Sequence, residues 1–417
     1  MKLRMALHAF PELKVKLRTL FTLCIGLTSA MSLARAQDTT AAAPDTAYVE
    51  YHDSPLSLPL LFGLRTPTYD RVNGLALPWG PKLEMSDGRL DVDGVITYRS
   101  NLGKWDPSLE GVIRPGDSQE LKFFVGRGTF TNDSWIRDDL TNSAASLLVG
   151  SDARNYFRGD RATARFATTL TRTSISFTPF IGANLERDWS TGSVAPTKSP
   201  WSFFGRRGKL RMRRPNPPVF KGSIASILGG TGLQVVNGGL EAKLDATLER
   251  SLRISQVQCS AVPGLLVCPI DNFTQATLDG KLRFPTFGSQ TFTFKGHTVV
   301  TGGGGIALGQ RFAYLGGAGT LATVDLLALG GDHLLFVSGD YMIPIEQVQL
   351  PFVGNPFVAL SYAAGSAGIN GVPRLIQNLG IGVGVSLLRV DLSIDPASNR
   401  SPFSRRSAVT FGASLSL

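Results

Sequence analysis

The dominant pattern along the chain is alternation of apolar and polar positions with period two. In "LDVDGVITYRS", Leu90, Val92, Ile96 and Tyr98 fall on one face and Asp91, Asp93, Thr97 and Arg99 on the other. "LEAKLDATLE" sets Leu240, Ala242, Leu244, Ala246 and Leu248 against Glu241, Lys243, Asp245, Thr247 and Glu249. "ATLDGKLRF" sets Ala276, Leu278, Leu282 and Phe284 against Thr277, Asp279, Lys281 and Arg283. Each predicts a strand with an apolar face backed by a charged one. Leu240, Leu244, Leu248 and Leu252 are also four apart, so that segment alone fits an amphipathic helix as well; its neighbours favour strand.

Those neighbours are numerous. "ELKFFVGRGTF" (120–130), "RATARFATTL" (161–170), "SISFTPFIGANLE" (174–186), "QTFTFKGHTVV" (290–300) and "HLLFVSGDYMIPI" (333–345) mix aromatic and β-branched residues with polar alternates. Beyond Phe357 the spacing tightens to short-turn hairpins ending in "AVTFGASLSL". One helix is expected in 133–150, where Ile136, Leu140 and Leu147 have helical spacing, Asp133 or Ser134 could cap the start and Gly150 could stop it. A water-soluble sandwich also alternates. Spans of about 10 residues, recurring roughly 14 to 16 times between turn signals, instead predict an all-β fold: a transmembrane antiparallel β-barrel of about 16 strands. Closure satisfies every backbone amide in lipid without a single apolar helix.

Composition refines this. The first 36 residues are basic and then apolar, closing with small residues at Ala34 and Ala36, which reads as a secretory signal peptide cleaved before Gln37; a signal anchor is the alternative. Cys24 follows the bulky Leu23, which disfavours a lipidated leader. Residues 37–68 are Ala/Thr/Pro-rich and read as an exported lead-in, leaving 69–417 for the barrel. The leader holds six Lys or Arg and one Glu, so five of the formal +10 belong to it and the other 381 residues (417 − 36) carry +5. That charge is too mild and dispersed for a nucleic-acid partner. Cys259 and Cys268, in "QCSAVPGLLVCPID", are the cysteines left after cleavage and predict a local disulfide in an exported loop; two free thiols are the alternative.

No catalytic or cofactor chemistry emerges. His52, His297 and His333 are scattered without metal-ligand spacing, and the chain has no G-x-S-x-G elbow, Walker loop or H-E-x-x-H. "GGGG" (302–305) and "GGTG" (229–232) read as glycine-rich strand or bend, because no helical pattern follows either one. The densest charge is "RRGKLRMRR" (206–214). If extended, Arg207, Lys209, Arg211 and Arg213 share a face that could attract lipid phosphates or an anionic solute; a solvated loop is the plainer reading.

The last 110 or so residues resemble the bacterial surface antigen superfamily, the outer-membrane assembly and translocation barrels of BamA/TamA type. The resemblance lies in "YLGGAGTLATVD" (314–325), "GDHLLFVSGDYMIPI" (331–345) with its aromatic-x-x-Pro element Tyr341 to Pro344, "PFVALSYAAGSAG" (356–368), "QNLGIGVGVSLLRVDLSIDPA" (377–397) and the terminal "TFGASLSL". It implies a loop entering the barrel. The family's Arg-Gly-aromatic signature there is replaced by Leu321, Ala322, Thr323 and Val324, and its partner Asp by the region of Ala363 and Ala364, so both ends of a buried ion pair are expected to be absent together. The family's periplasmic POTRA domains have no room before Tyr69.

The resemblance implies a Gram-negative-type outer-membrane barrel engaged in protein or lipid assembly or transport, not an enzyme. Its partners would be outer-membrane lipid, the barrel assembly machinery and periplasmic client or partner proteins, with no cofactor or metal. A passive channel with a charged lumen and a structural surface barrel are the alternatives. Thr410, Gly412, Leu415 and Leu417 resemble the terminal signal by which assembly machinery recognises barrels, although the chain ends in Leu where an aromatic residue is usual.

Overall fold

The structure is a computed structural model that describes residues 56–57, 60–85, 88–191, 202, 212–255, 260–262, 265–267, 272–303, 306–348, 355–385, 388–397 and 403–413. The expected leader and most of the lead-in lie outside the described residues, as do Cys259 and Cys268.

One antiparallel meander dominates. Its nineteen paired segments make sixteen consecutive strands, because three strands are interrupted. β1 is split into Leu56–Ser57 and Thr68–Asp70 around a single helical turn, Leu60–Gly63. Both halves of it pair with β2, itself Gly74–Trp79 and Lys82–Met85. Then come β3 (Leu90–Arg99), β4 (Lys104–Gly116) and β5 (Gln119–Phe130). β6 combines Phe157–Thr168 with Leu170–Arg172, and β7 to β9 are Ile175–Ser190, Gly222–Asn237 and Leu240–Ser255. β10 to β13 are Thr274–Pro285, Thr291–Gly302, His333–Pro344 and Pro356–Gly368. β14 (Ile376–Val385), β15 (Leu388–Ile394) and β16 (Ser407–Ala413) complete the order. Each strand pairs with the next; among the described residues no ladder joins β16 to β1, so the sheet is not closed.

The segment with two readings, 240–252, is strand throughout, and "GGTG" lies in the middle of β8. The expected helix exists but begins later, at Asp139–Val149. Its N-cap is Asp138, whose Oδ1 accepts from Thr141 N at 2.8 Å, rather than Asp133 or Ser134. Hydrogen bonding from the first-turn amides holds the Asp138 carboxyl below its ordinary range. Gly150 ends the helix at φ +65°, the left-handed conformation that glycine tolerates best, and returns its N–H to Ser146 O.

Burial is inverted relative to a soluble protein. On β7, Ile181 is 66% exposed and Leu185 58%, while Asn184, Glu186 and Asp188 between and after them are buried. On β16, Val409 and Phe411 are exposed; on β14 and β15, Leu379, Ile381, Val383, Val390 and Leu392 are exposed while Asn378 and Ser393 are buried. An apolar band outside and polar groups inside are what a barrel wall in lipid requires, because lipid solvates the former and cannot solvate the latter. No helix among the described residues is long and apolar enough to cross a membrane.

The two ends of the meander differ. At one, tight connections such as 117–118, 173–174 and 238–239 join the strands. At the other lie 131–156, 191–221, 303–332 and 395–406; the described residues of 131–156 and 303–332 contribute many buried side chains.

Candidate functional site: a loop seated in the barrel

The loop 303–332, between β11 and β12, turns back into the sheet. It forms a 3-10 turn at Gly309–Arg311 and a small hairpin in which Ala313–Leu315 pairs with Leu329–Gly331. Gly316 makes the sharp bend possible: its φ is +124°, and a Cβ there would lie 2.1 Å from Asp325 O.

The turn delivers Arg311 to two acidic strands. Its Nε lies 3.0 Å from Glu249 Oε2 and its Nη2 2.8 Å from Glu249 Oε1, while Nη2 also meets Glu186 Oε1. Arg161 Nη2 reaches Glu186 Oε2 at 3.0 Å, and Ser226 Oγ donates to Glu249 Oε1 at 2.6 Å. All three principal groups are nearly inaccessible. Buried carboxylates and a guanidinium are tolerated together only because each satisfies the others with charge-assisted bonds. Asp188, two residues beyond Glu186, is fully buried beside that carboxylate. The facing Gly159 leaves it room, since a Cβ there would stand 2.5 Å from Asp188 Oδ1.

A second seat holds the far part of the loop. Leu321 and Val324 join Ala313, Leu315, Val299, Leu334, Phe336, Ala363 and Ala367 in one apolar cluster. Thr323 N donates to Asn378 Oδ1 at 3.0 Å, and Asn378 Nδ2 donates to Thr323 Oγ1 at 2.7 Å. Val324 bridges to Ser404, Arg405 N donates to Thr323 O at 2.7 Å and Arg405 Nη2 lies 2.8 Å from Asp325 Oδ1. Where the family resemblance placed a buried ion pair, residues 321–324 meet Ala363 by apolar packing and Asn378 by neutral hydrogen bonds. The loop nevertheless carries a buried ion pair, ten residues upstream at Arg311 (321 − 311), with partners on β7 and β9. Sequence reading missed it because Glu186 and Glu249 look like ordinary polar alternates; "GQRF" (309–312) was the one available signal.

A third group ties the neighbouring loops together. The β1–β2 turn is shaped by Asp70, whose Oδ1 accepts from Val72 N and Asn73 N. It presents buried Arg71 to Asp152, whose Oδ1 also accepts from Asn142 of the helix and from the Tyr156 hydroxyl. Burial and the Asp152 charge push the Tyr156 hydroxyl well up. Asp133 accepts from Asn155 N at 2.7 Å, and burial pushes its carboxyl up to about 7. Desolvation lowers nearby Arg214 to about 10, with Arg71 contributing. Asn132 Nδ2 donates to Gln310 O and Arg137 Nη2 to Ala318 O, so 131–156 and 303–332 interlock.

Other expected positions fall as follows. Arg213 is exposed, while Arg207, Lys209 and Arg211 lie outside the described residues. Thr410 and Gly412 lie in β16, and Leu415 and Leu417 are outside the described residues. The disulfide expected of Cys259 and Cys268 has no support in the structure. His297 is buried with Nδ1 2.6 Å from Asp279 Oδ1 and its ring stacked on Trp135 at 4.0 Å. No group of three or more metal-ligating side chains occurs among the described residues.

No protein-family model matches the chain, and no curated protein matches it. Among solved structures it is similar to CdiB from Escherichia coli, at 10% identity and TM-score 0.48, covering 82% of this chain and 59% of that one. BamA from Haemophilus ducreyi lacking POTRA domains 1–3 matches at 12% identity and TM-score 0.48, over 83% of this chain and 68% of that one. CdiB from Acinetobacter baumannii matches at 11% identity and TM-score 0.44, over 83% and 58%. The chain thus spans less than two thirds of either CdiB, and the likeness is structural only.

Proposed function

We propose that this chain is an outer-membrane β-barrel of surface-antigen type, exported behind a cleaved leader and acting in the assembly or transport of outer-membrane proteins or lipids. The observation that carries this reading is the seated loop: Arg311, gripped by Glu186 and Glu249, fills the wall's interior where a passive pore would need water. Membrane insertion through the barrel assembly machinery would use the terminal positions Thr410, Gly412, Leu415 and Leu417.

The rival is a passive channel, favoured by the charged inner wall at the tight-turn end, where Lys82, Asp91, Asp93, Glu110 and Lys122 line a cavity of about 490 Å³. Planar-bilayer recording of the purified protein separates the two. The assembly reading expects a silent barrel and faulty maturation of other outer-membrane proteins on depletion; stable conductance with normal maturation of the others would overturn it.

A further inference from the structure

The outer face of β5 to β9 carries a feature that the seated loop does not use. Register places Arg127, Asp160, Arg187, Ser223 and Ser255 in one row across five neighbouring strands. The next row toward the tight-turn end is Val125, Ala162, Leu185, Ala225 and Arg253. Rows on one face are about 7 Å apart. Leu185 and Val125 are exposed on the same face as Arg127 and Arg187, so the rows meet as an apolar wall with a cationic rim.

Two adjoining concavities, about 1060 and 600 Å³, share Arg127, Asp160 and Arg187. The first runs down to Leu185 and Val125 and takes in Arg253; the second takes in Trp189 and Lys221. Of the acidic residues lining them, Glu186 is held by Arg311 and Arg161, and Asp160 is engaged by Arg127 in two bonds, at 2.6 and 3.0 Å. Arg187, Lys221 and Arg253 have no salt-bridge partner within 4 Å among the described residues. Three cations thus stand at the rim beyond the charge that Asp160 and Arg127 neutralise between them.

We propose that this surface binds the phosphorylated headgroup of a lipid in the leaflet on the long-loop side, with its acyl chains laid on the Leu185 row. Charge complementarity selects an anion, and Arg187 and Arg253 present planar donors suited to phosphate oxygens. The apolar row directly below selects an amphiphile over a free anion. Trp189, within 5.7 Å of the Arg127 guanidinium, sits at the border where indoles favour membrane interfaces. The inference depends on the lipid-facing wall and not on the assembly role, so it stands or falls separately.

The test uses the full-length protein in phosphatidylcholine nanodiscs doped with diphosphorylated lipid A, or with the same glycolipid dephosphorylated. Retained glycolipid is counted by native mass spectrometry. At least tenfold preference for the phosphorylated form is expected, falling to near parity in the triple variant Arg187→Gln, Lys221→Gln, Arg253→Gln, and kept when Arg187→Lys and Arg253→Lys preserve the charge. Equal retention of both glycolipids by the unaltered protein overturns the proposal, and that comparison needs no variant to fold. Undiminished preference in a triple variant that keeps its heat-modifiable gel shift overturns this choice of residues.

Discussion

Arg311 and Glu249 meet through two parallel bonds, 3.0 and 2.8 Å long, although 62 residues separate them. One belongs to an inward turn and the other to a wall strand, so the pair fixes where the loop rests. Removing one partner of a buried pair strands the other charge, at a cost of about 3–5 kcal/mol. Arg311→Ala should therefore release residues 309–331. Hydrogen exchange on the reconstituted barrel should show protection lost there by two orders of magnitude or more, and bilayer recordings should show openings absent from the unaltered protein. Unchanged exchange would mean that the second seat alone holds the loop.

Asp133 makes the loop cluster sensitive to pH. Its carboxyl titrates near 7 in the folded protein against an ordinary 3.8, chiefly through burial. The folded state therefore binds the proton more tightly than the unfolded one. Stability falls as pH rises from about 4 to about 7 and levels off above, once both states are ionised. Protection of residues 131–156 should accordingly be higher at pH 5 than at pH 8, after correction for intrinsic exchange. Asp133→Asn keeps an acceptor for Asn155 N and should flatten that dependence; a slope of the opposite sign would contradict the assignment.

What was legible in the chain and what was not divide along a physical line. Period-two alternation is a local signal, and it gave the strand positions, the all-β class and a count of about 16 because lipid on one face and charge on the other leave few other arrangements. Gly150 marked the end of its helix because a left-handed cap is a local demand. The helix start slipped to Asp138 because several acidic residues compete for that cap and only tertiary contacts decide: Asp133 is instead used by Asn155. The partners of Arg311 were invisible for the complementary reason. Nothing local distinguishes Glu186 or Glu249 from Glu241, which faces no such turn; long-range closure of the loop creates the difference.

The second seat rests on Thr323 and Asn378, which exchange two neutral hydrogen bonds in an otherwise apolar setting. Asn378→Ala leaves Thr323 N and Oγ1 without these partners, a loss of about 1–3 kcal/mol. Protease sensitivity near 317–328 should rise with the Arg311 contacts intact. Combining Asn378→Ala with Arg311→Ala should cost less than the sum of the two if the seats hold the loop jointly, because either change alone already undoes the shared docking. Strict additivity in exchange protection would show two independent attachments.

The wall itself makes the plainest demand. Ile381 on β14 is exposed on the apolar face, and Asn378 and Gly382 on the same strand are buried within. If lipid is the solvent of the outer face, Ile381→Arg places a cation in hydrocarbon, at about 2–4 kcal/mol near the midplane. In a soluble sheet the same change would be neutral or would improve solubility. Lys243 on β9 shares the inner face with Glu249, three alternations on, so Lys243→Gln should be tolerated in the barrel. Folding into liposomes, followed by heat-modifiable gel migration over a urea series, should give a lower midpoint for Ile381→Arg and an unchanged one for Lys243→Gln. The reverse order would invert inside and outside, and with them every assignment made to the two faces of the sheet.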